Sequence, residues 1–158
     1  LAIRLKNNFH LKYIESNISS LRNRRLNGWW SEAQYLYKIK DGLDIDISLI
    51  YGNDYGEQQE NNFNVSAYGI KLDGRYFLNK KGRIQTDFSL VNVIEKTNQD
   101  YIPPESVNGN PLGIGFRSNT RIQYFINQSI SLIFSLNTID DQRFSNFLTF
   151  EGEVRAHF

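Results

Sequence analysis

The last eleven residues of the chain alternate strictly between apolar and polar side chains. The even positions hold Leu148, Phe150, Gly152, Val154, Ala156 and Phe158, and the odd positions hold Thr149, Glu151, Glu153, Arg155 and His157. Because a β-strand points successive side chains to opposite faces, this segment predicts a strand with one apolar and one charged face. The charged face is too polar for a packed soluble core, so the pattern favours a barrel wall with lipid outside and a polar lumen inside.

Composition narrows the possible architectures. The 158 residues suffice for one domain, which we assign to 1–158, and no apolar run approaches the roughly 20 residues of a membrane helix. A β-barrel is the membrane architecture that escapes this test. Without Cys, disulfides and thiolate metal sites are excluded. The net charge of +1 gives no argument for nucleic acid as a partner, and no cofactor or metal is predicted.

The same alternation recurs along the whole chain. We predict eight strands, at about residues 2–14, 29–39, 43–52, 64–77, 83–94, 112–126, 129–138 and 148–158. Each is near the roughly 9–11 residues that a tilted strand needs to cross a bilayer. The predicted fold class is all-β, an antiparallel transmembrane β-barrel wall of eight meandering strands. It is either a closed small barrel or the C-terminal arc of a larger one.

The connections between the predicted strands alternate in length. Tight turns are predicted at 40–42, 78–82 and 127–128, and longer loops at 15–28, 53–63, 95–111 and 139–146. Outer-membrane barrels have short periplasmic turns and long external loops. The alternation therefore predicts a periplasmic C-terminus, with every long loop outside.

The polar faces of the strands mix both signs of charge. The predicted lumen network comprises Arg4, Lys6, Glu32, Asp44, Asp46, Lys71, Asp87, Arg117, Arg121, Glu151 and Glu153. If the first strand pairs with the last, Arg4 falls near Glu153 and Lys6 near Glu151, and such opposite charges stabilise a strand pair modestly. A mixed-sign network suits a small barrel filled by side chains. The lumen of a wider barrel would have the same composition, so both forms stay open.

Few residues indicate catalysis or metal binding. His10 lies on the predicted lumen face, with Glu32 or Asp46 as conceivable partners, but no motif joins them. We therefore predict no enzyme, and His157 is the weaker candidate of the two histidines. Two acidic groups lie in predicted external loops, namely Asp54 with Glu57 and Glu60, and Asp140 with Asp141. Neither has the Gly and carboxylate order of a calcium loop, so solvated charge is the preferred interpretation.

A short basic cluster lies in the first predicted external loop. Arg22, Arg24 and Arg25 carry guanidinium groups that suit the phosphates of lipopolysaccharide. The alternative interpretation is solvated or partner-facing charge.

The C-terminal third resembles outer-membrane β-barrels of Gram-negative bacteria. The strand ending Glu153-Val-Arg-Ala-His-Phe158 resembles their terminal strand. Together with the Pro103-Pro104 loop, the Leu112-Gly-Ile-Gly start of a strand and the hairpin at Asn127, it is similar to the C-terminus of large Bacteroidota-type outer-membrane proteins. The resemblance implies an assembly signal, read by the barrel assembly machinery, in Phe150, Val154 and Phe158. It also implies contact with outer-membrane lipid and lipopolysaccharide.

Three roles are consistent with an outer-membrane β-barrel. The first is a membrane anchor or a component of an outer-membrane complex, in contact with other outer-membrane subunits. The second is part of a wider pore for solute or protein transport. The third is a small barrel enzyme that acts on surface lipids or peptides. Because the chain starts directly in a strand, we expect it to be the C-terminal part of a longer protein.

Overall fold

A computed structural model describes residues 2–14, 24–39, 42–58, 61–97 and 102–156. The strands are β1 (Ala2–Ile14), β2 (Arg24–Ile39), β3 (Leu43–Gln58), β4 (Asn61–Phe77), β5 (Gly82–Glu95), β6 (Gly113–Phe125), β7 (Ile130–Asp140) and β8 (Phe147–Ala156). Short 3-10 helices occupy Asn79–Lys81 and Ser106–Gly109. The prediction of an all-β fold with eight antiparallel strands is confirmed.

The eight strands form one meandering sheet in the order β1 to β8. Every neighbouring pair is antiparallel, as expected for strands joined by hairpin connections. Within the described residues the sheet is not closed by hydrogen bonds, since β1 pairs with β2 alone and β8 with β7 alone. The suggested contact of Arg4 with Glu153 is therefore not formed, and Glu153 instead accepts a hydrogen bond of 2.6 Å from Arg155.

Three strands extend further than the sequence predicted. β2 begins at Arg24 instead of 29, β3 ends at Gln58 instead of 52, and β4 begins at Asn61 instead of 64. The predicted loops 15–28 and 53–63 are shorter as a result. Polar Asn, Gly and Asp residues conceal the alternation there, whereas backbone pairing from Arg25 to Glu57 and onward to Asn62 continues the ladder.

Successive connections lie at alternate ends of the sheet. We call the end with the β2–β3, β4–β5 and β6–β7 connections the short-turn end and the opposite end the long-loop end, although one connection there is also short, since β3 ends at Gln58 and β4 begins at Asn61. At the short-turn end, Gly42 has φ +83°, a conformation that favours glycine. The Asn127 carboxamide oxygen accepts hydrogen bonds from the backbone N–H groups of Ser129 and Ile130, both at 2.8 Å. Such side-chain bonding to nearby backbone stabilises a tight turn.

One face of the sheet is apolar and exposed along its whole width. We call it the outer belt, and its members are Ile3, Leu5, Phe9, Leu11, Ile47, Leu49, Ile70, Leu72, Leu90, Ile114, Leu136, Leu148, Phe150 and Val154. Phe9 is 82% exposed and Leu49 is 62% exposed. Soluble monomers rarely expose a contiguous apolar surface larger than a few hundred square ångströms.

The opposite, inner face is charged over only part of its length. At the long-loop end it carries a buried apolar cluster, which we call the inner core: Leu26, Ile50, Phe63, Val65, Ala67, Val91, Val93, Ile102 and Val107. Leu26 and Phe63 lie in segments that were predicted as loop. Because the predicted second and fourth strands began too late, the place of these two residues on the inner face was missed.

Candidate functional site: the inner face and its plug

Charged side chains occupy the inner face toward the short-turn end in cross-strand rows. An acidic row contains Asp46, Asp73 and Asp87 on adjacent strands, continued by Asn119, Asn137 and Thr149. The row on one side contains Arg4, Lys71 and Arg117, and the row on the other contains Lys38, Arg75 and Arg121 together with Asp44 and Glu151. Cations on both sides of the aspartates offset their mutual repulsion.

An ion pair joins two members of this network, since Lys71 Nζ lies 3.2 Å from Asp73 Oδ2. Lys6 and Glu32 occupy paired positions in the β1–β2 register. The structure thus brings the predicted lumen residues of β1 to β6 onto one face. Asp73, which was not among the selected lumen residues, is the ion-pair partner of Lys71.

Two cavities lie on this face. One, of about 530 Å³, is lined mainly by charged residues of β1 to β5, including Arg4, Glu32 and Arg75. The other, of about 410 Å³, adds Arg117, Asn119 and other residues of β6 to β8. Lys71 and Asp87 line both cavities, so we treat the two as one charged chamber.

Residues 102–112, which we call the plug, lie over the inner core at the long-loop end. The sequence predicted this segment as part of an external loop. Ile102 and Val107 instead pack among Phe63, Val65 and Val93, and Leu112 contacts the same cluster. Burial of apolar side chains from both the strands and the plug stabilises this arrangement.

Two polar anchors hold the plug to the strands. The Val107 backbone N–H donates a hydrogen bond of 2.6 Å to Asp54 Oδ2. Arg24 donates to both carboxylate oxygens of Glu105, at 2.5 Å from Nη2 and 3.2 Å from Nε. Two-pronged guanidinium–carboxylate pairs are among the stronger polar contacts in proteins.

The first anchor belongs to a row across three strands. His10, Gly28 and Asp54 stand opposite one another in the β1–β2–β3 register. His10 Nε2 lies 3.2 Å from Asp54 Oδ1, and the Asp54 side chain is 1% exposed. A Cβ at Gly28 would lie 1.8 Å from Asp54 Oδ1, so glycine leaves the space in which the carboxylate sits.

This row corrects two sequence-based interpretations. The partner of His10 is Asp54, not Glu32 or Asp46, because His10 falls in a different cross-strand row from either of them. Asp54 is not part of a solvated acidic cluster either, since β3 continues beyond it and turns it inward. Glu57 stays exposed, and Glu60 lies outside the described residues.

The loop between β7 and β8 is organised by Asp141. Its carboxylate accepts hydrogen bonds from the backbone N–H groups of Arg143 (2.8 Å) and Phe144 (3.0 Å), and Arg143 Nη2 lies 3.1 Å away. Burial raises the pKa of Asp141, but these hydrogen bonds lower it by more. The pKa of this carboxyl group therefore lies below its ordinary value. Arg117 Nη2 is 3.8 Å from the same carboxylate and links this loop to the chamber.

The remaining predicted residues are the basic cluster and the assembly signal. Arg24 forms an ion pair with Glu105 of the plug, Arg25 is exposed, and Arg22 lies outside the described residues. Lipopolysaccharide contact therefore stays a prediction that rests mainly on Arg25. Phe150 and Val154 are exposed on the outer belt, and Phe158 and His157 lie outside the described residues.

The chain was compared with known families, curated proteins and solved structures. None of the three comparisons gives a match. In the described part of the chain, no helix is long and apolar enough to cross a membrane. No group of three or more acidic or imidazole side chains among the described residues is placed to hold a metal ion.

Proposed function

We propose that the chain is the wall of a bacterial outer-membrane β-barrel that serves as a membrane anchor or as a component of an outer-membrane complex. The observation that carries this proposal is the contrast between the two faces of one sheet. The outer belt exposes large apolar side chains on seven of the eight strands, and β2 exposes Tyr35 and Tyr37 on the same face, while the inner face holds the charged rows and the plug. Lipid outside and polar groups inside are the arrangement of a transmembrane barrel.

Aromatic residues bracket the outer belt at a suitable height. On β2 Trp29 and Tyr37 share the outer face, and on β4 Tyr68 and Tyr76 do the same, with the members of each pair eight positions apart. At about 3.3 Å per residue and a tilt of about 40°, the members are separated by about 20 Å across a membrane. The apolar band of outer-membrane barrels is about 25 Å tall between two aromatic girdles.

The stagger of the sheet supports closure on itself. The row of paired residues that starts at Arg4, near the short-turn end of β1, reaches Phe147, the first residue of β8, at the long-loop end. Each row is therefore displaced toward the long-loop end as it crosses the sheet from β1 to β8. Closing β8 onto β1 with a stagger of about eight residues gives a strand tilt of about 35°, within the usual range for barrels. Glu153 then stands opposite Lys6. Placing Glu153 opposite Arg4 requires a stagger of about six and a tilt of about 27°, which is outside that range.

The plug favours an anchor over an open pore. Ile102 and Val107 are buried in the inner core, and the anchors at Asp54 and Arg24 keep the plug across the inner face. With the plug in place, the interior of an eight-stranded barrel leaves no open channel.

A specific observation supports the second role, part of a wider pore for solutes or protein. Among the described residues both sheet edges lack a partner strand, and the chamber between them is lined by charge. Further strands added at β1 and β8 would turn the same inner face into the wall of a water-filled lumen.

Cysteine cross-linking distinguishes the two roles, because the sequence contains no native Cys. A Lys6→Cys/Glu153→Cys variant, oxidised in membranes, is expected to form an intramolecular disulfide if the barrel closes at eight strands. Arg4→Cys/Glu153→Cys is the matched control. It places the thiols on a diagonal, about 7–8 Å apart between Cα atoms, and should cross-link poorly.

Conductance in planar bilayers completes the test. A closed anchor predicts efficient cross-linking of the first pair and no steady conductance. Absence of cross-linking in both pairs, together with a steady conductance, would contradict the role of a closed anchor and favour the wider pore. A chain that stays in the aqueous fraction without detergent would contradict both roles.

A further inference from the structure

The plug contains backbone that L-residues rarely adopt. Val107 has φ +43° and ψ +46°, and Asn108 has φ +57° and ψ +33°. For a β-branched residue such as valine, a left-handed conformation is a genuine outlier. Strained backbone of this kind persists only where the surroundings hold it, and it concentrates at clamps and switches.

The surroundings of Val107 act on both its side chain and its amide. The side chain is 1% exposed within the inner core, and the amide is held by Asp54. A second polar contact between plug and strands is the Arg24–Glu105 pair. Residues 102–112 belong to no strand, so no β-ladder fixes the plug in place.

Apolar and charged layers follow one another beneath the plug. Val65 is 0% exposed and stands opposite Asp54 in the β3–β4 register, directly at the first anchor. Ala67 and Val93 form the next apolar row, and the charged chamber begins at Lys71, beyond Gly69. The plug therefore separates the chamber from the long-loop end.

We propose that the plug is a displaceable gate, held closed against its own backbone strain by Asp54, and that its release opens the chamber to small polar solutes. This inference rests on the proposed membrane location only for the direction of solute passage. The latch, by which we mean the hydrogen bond from the Val107 amide to Asp54, is a property of the folded sheet.

Asp54 is suited to this role by its neighbours. His10 Nε2 lies 3.2 Å from one carboxylate oxygen, and the Val107 amide donates a hydrogen bond to the other, so this side chain joins β1 to the plug. Gly28 leaves the space that allows His10 and Asp54 to approach each other across β2.

Maleimide labelling of a Val65→Cys variant tests the latch in detergent micelles, without a bilayer. In the otherwise unchanged chain, labelling should be slow because position 65 is covered. Adding Asp54→Ala should accelerate labelling by about tenfold or more, which is the equilibrium effect of leaving a buried amide donor without its acceptor. Asp44→Ala is the matched control, since Asp44 lies on the same strand at the short-turn end and should leave the rate unchanged.

The outcomes separate clearly. Rapid labelling in the unchanged chain, or equal rates with and without Asp54→Ala, would overturn the latch. If Asp54→Ala abolishes the heat-modifiable gel mobility of the folded sheet, Glu105→Ala is tested in its place, because it removes the second anchor. An unchanged labelling rate in Glu105→Ala would then overturn the latch.

Solute passage is measured by liposome swelling in arabinose. We expect slow swelling with the unchanged chain and at least about tenfold faster swelling with Asp54→Ala, in proportion to the labelling rate. Faster labelling without faster swelling, in a protein that inserts normally, would overturn the gate. Failure of every variant to insert would instead contradict the proposed membrane location.

Discussion

Replacing Leu49 by Lys should reduce the stability of the folded protein in phospholipid vesicles by about 2–4 kcal/mol, the cost of a lysine on the lipid face near the bilayer centre. Leu49 is 62% exposed in the middle of the outer belt. At such a position on a water-exposed sheet, the same substitution changes the free energy of unfolding by no more than about 0.5 kcal/mol. Chemical denaturation in vesicles measures the difference.

The matched control is Ile126→Lys. Ile126 is similarly exposed, but it follows β6 in a short turn, where the lysine would reach water. Its effect should be within about 1 kcal/mol, as expected near a membrane interface. Equal, small effects at both positions would indicate that water covers the outer belt.

Replacing Phe63 by Ala should cost about 3–5 kcal/mol of unfolding free energy, which is the usual loss for a buried phenylalanine. Phe63 is 2% exposed and packs with Val65, Val93 and Val107. Its ring also covers the space over Gly56, where a Cβ would lie 2.0 Å from the ring. The cavity left behind has no side chain positioned to fill it.

Phe77→Ala is the control for this second substitution. Phe77 is on the same strand but is exposed at the short-turn end, so its removal should cost about 1 kcal/mol or less. Equally small losses at both positions would show that the plug and the inner core do not contribute to stability.

The sequence predicted the parts of the fold that depend on period-two alternation. The eight strands and their order follow from side chains that alternate along one strand, and the turns at 78–82 and 127–128 follow from Gly and Asn. Residues 40 and 41 of the third predicted turn lie outside the described residues. The strand extensions in β2, β3 and β4 were missed because Gly, Asn and Asp occupy them. Their pairing is decided by neighbouring strands, and a single-strand pattern does not contain that information.

The candidate site was harder to predict for a related reason. The partnership of His10 and Asp54 depends on a register across β1, β2 and β3, with Gly28 leaving space between them. The plug depends on a loop that turns inward, and its Ile102 and Val107 are isolated apolar residues in the sequence. A possible signal was the pair Leu26 and Phe63, large apolar residues in segments that were predicted as solvated loop.

The most direct test of the membrane location compares neighbouring positions on opposite faces. A fluorophore attached through Ile70→Cys or Leu136→Cys reports the outer belt, and one attached through Lys71→Cys or Ser135→Cys reports the inner face. In vesicles containing spin-labelled lipids, a lipid-facing outer belt predicts strong quenching and blue-shifted emission at positions 70 and 136, with little quenching at 71 and 135. Weak quenching at all four positions, with emission typical of water at 70 and 136, would contradict it.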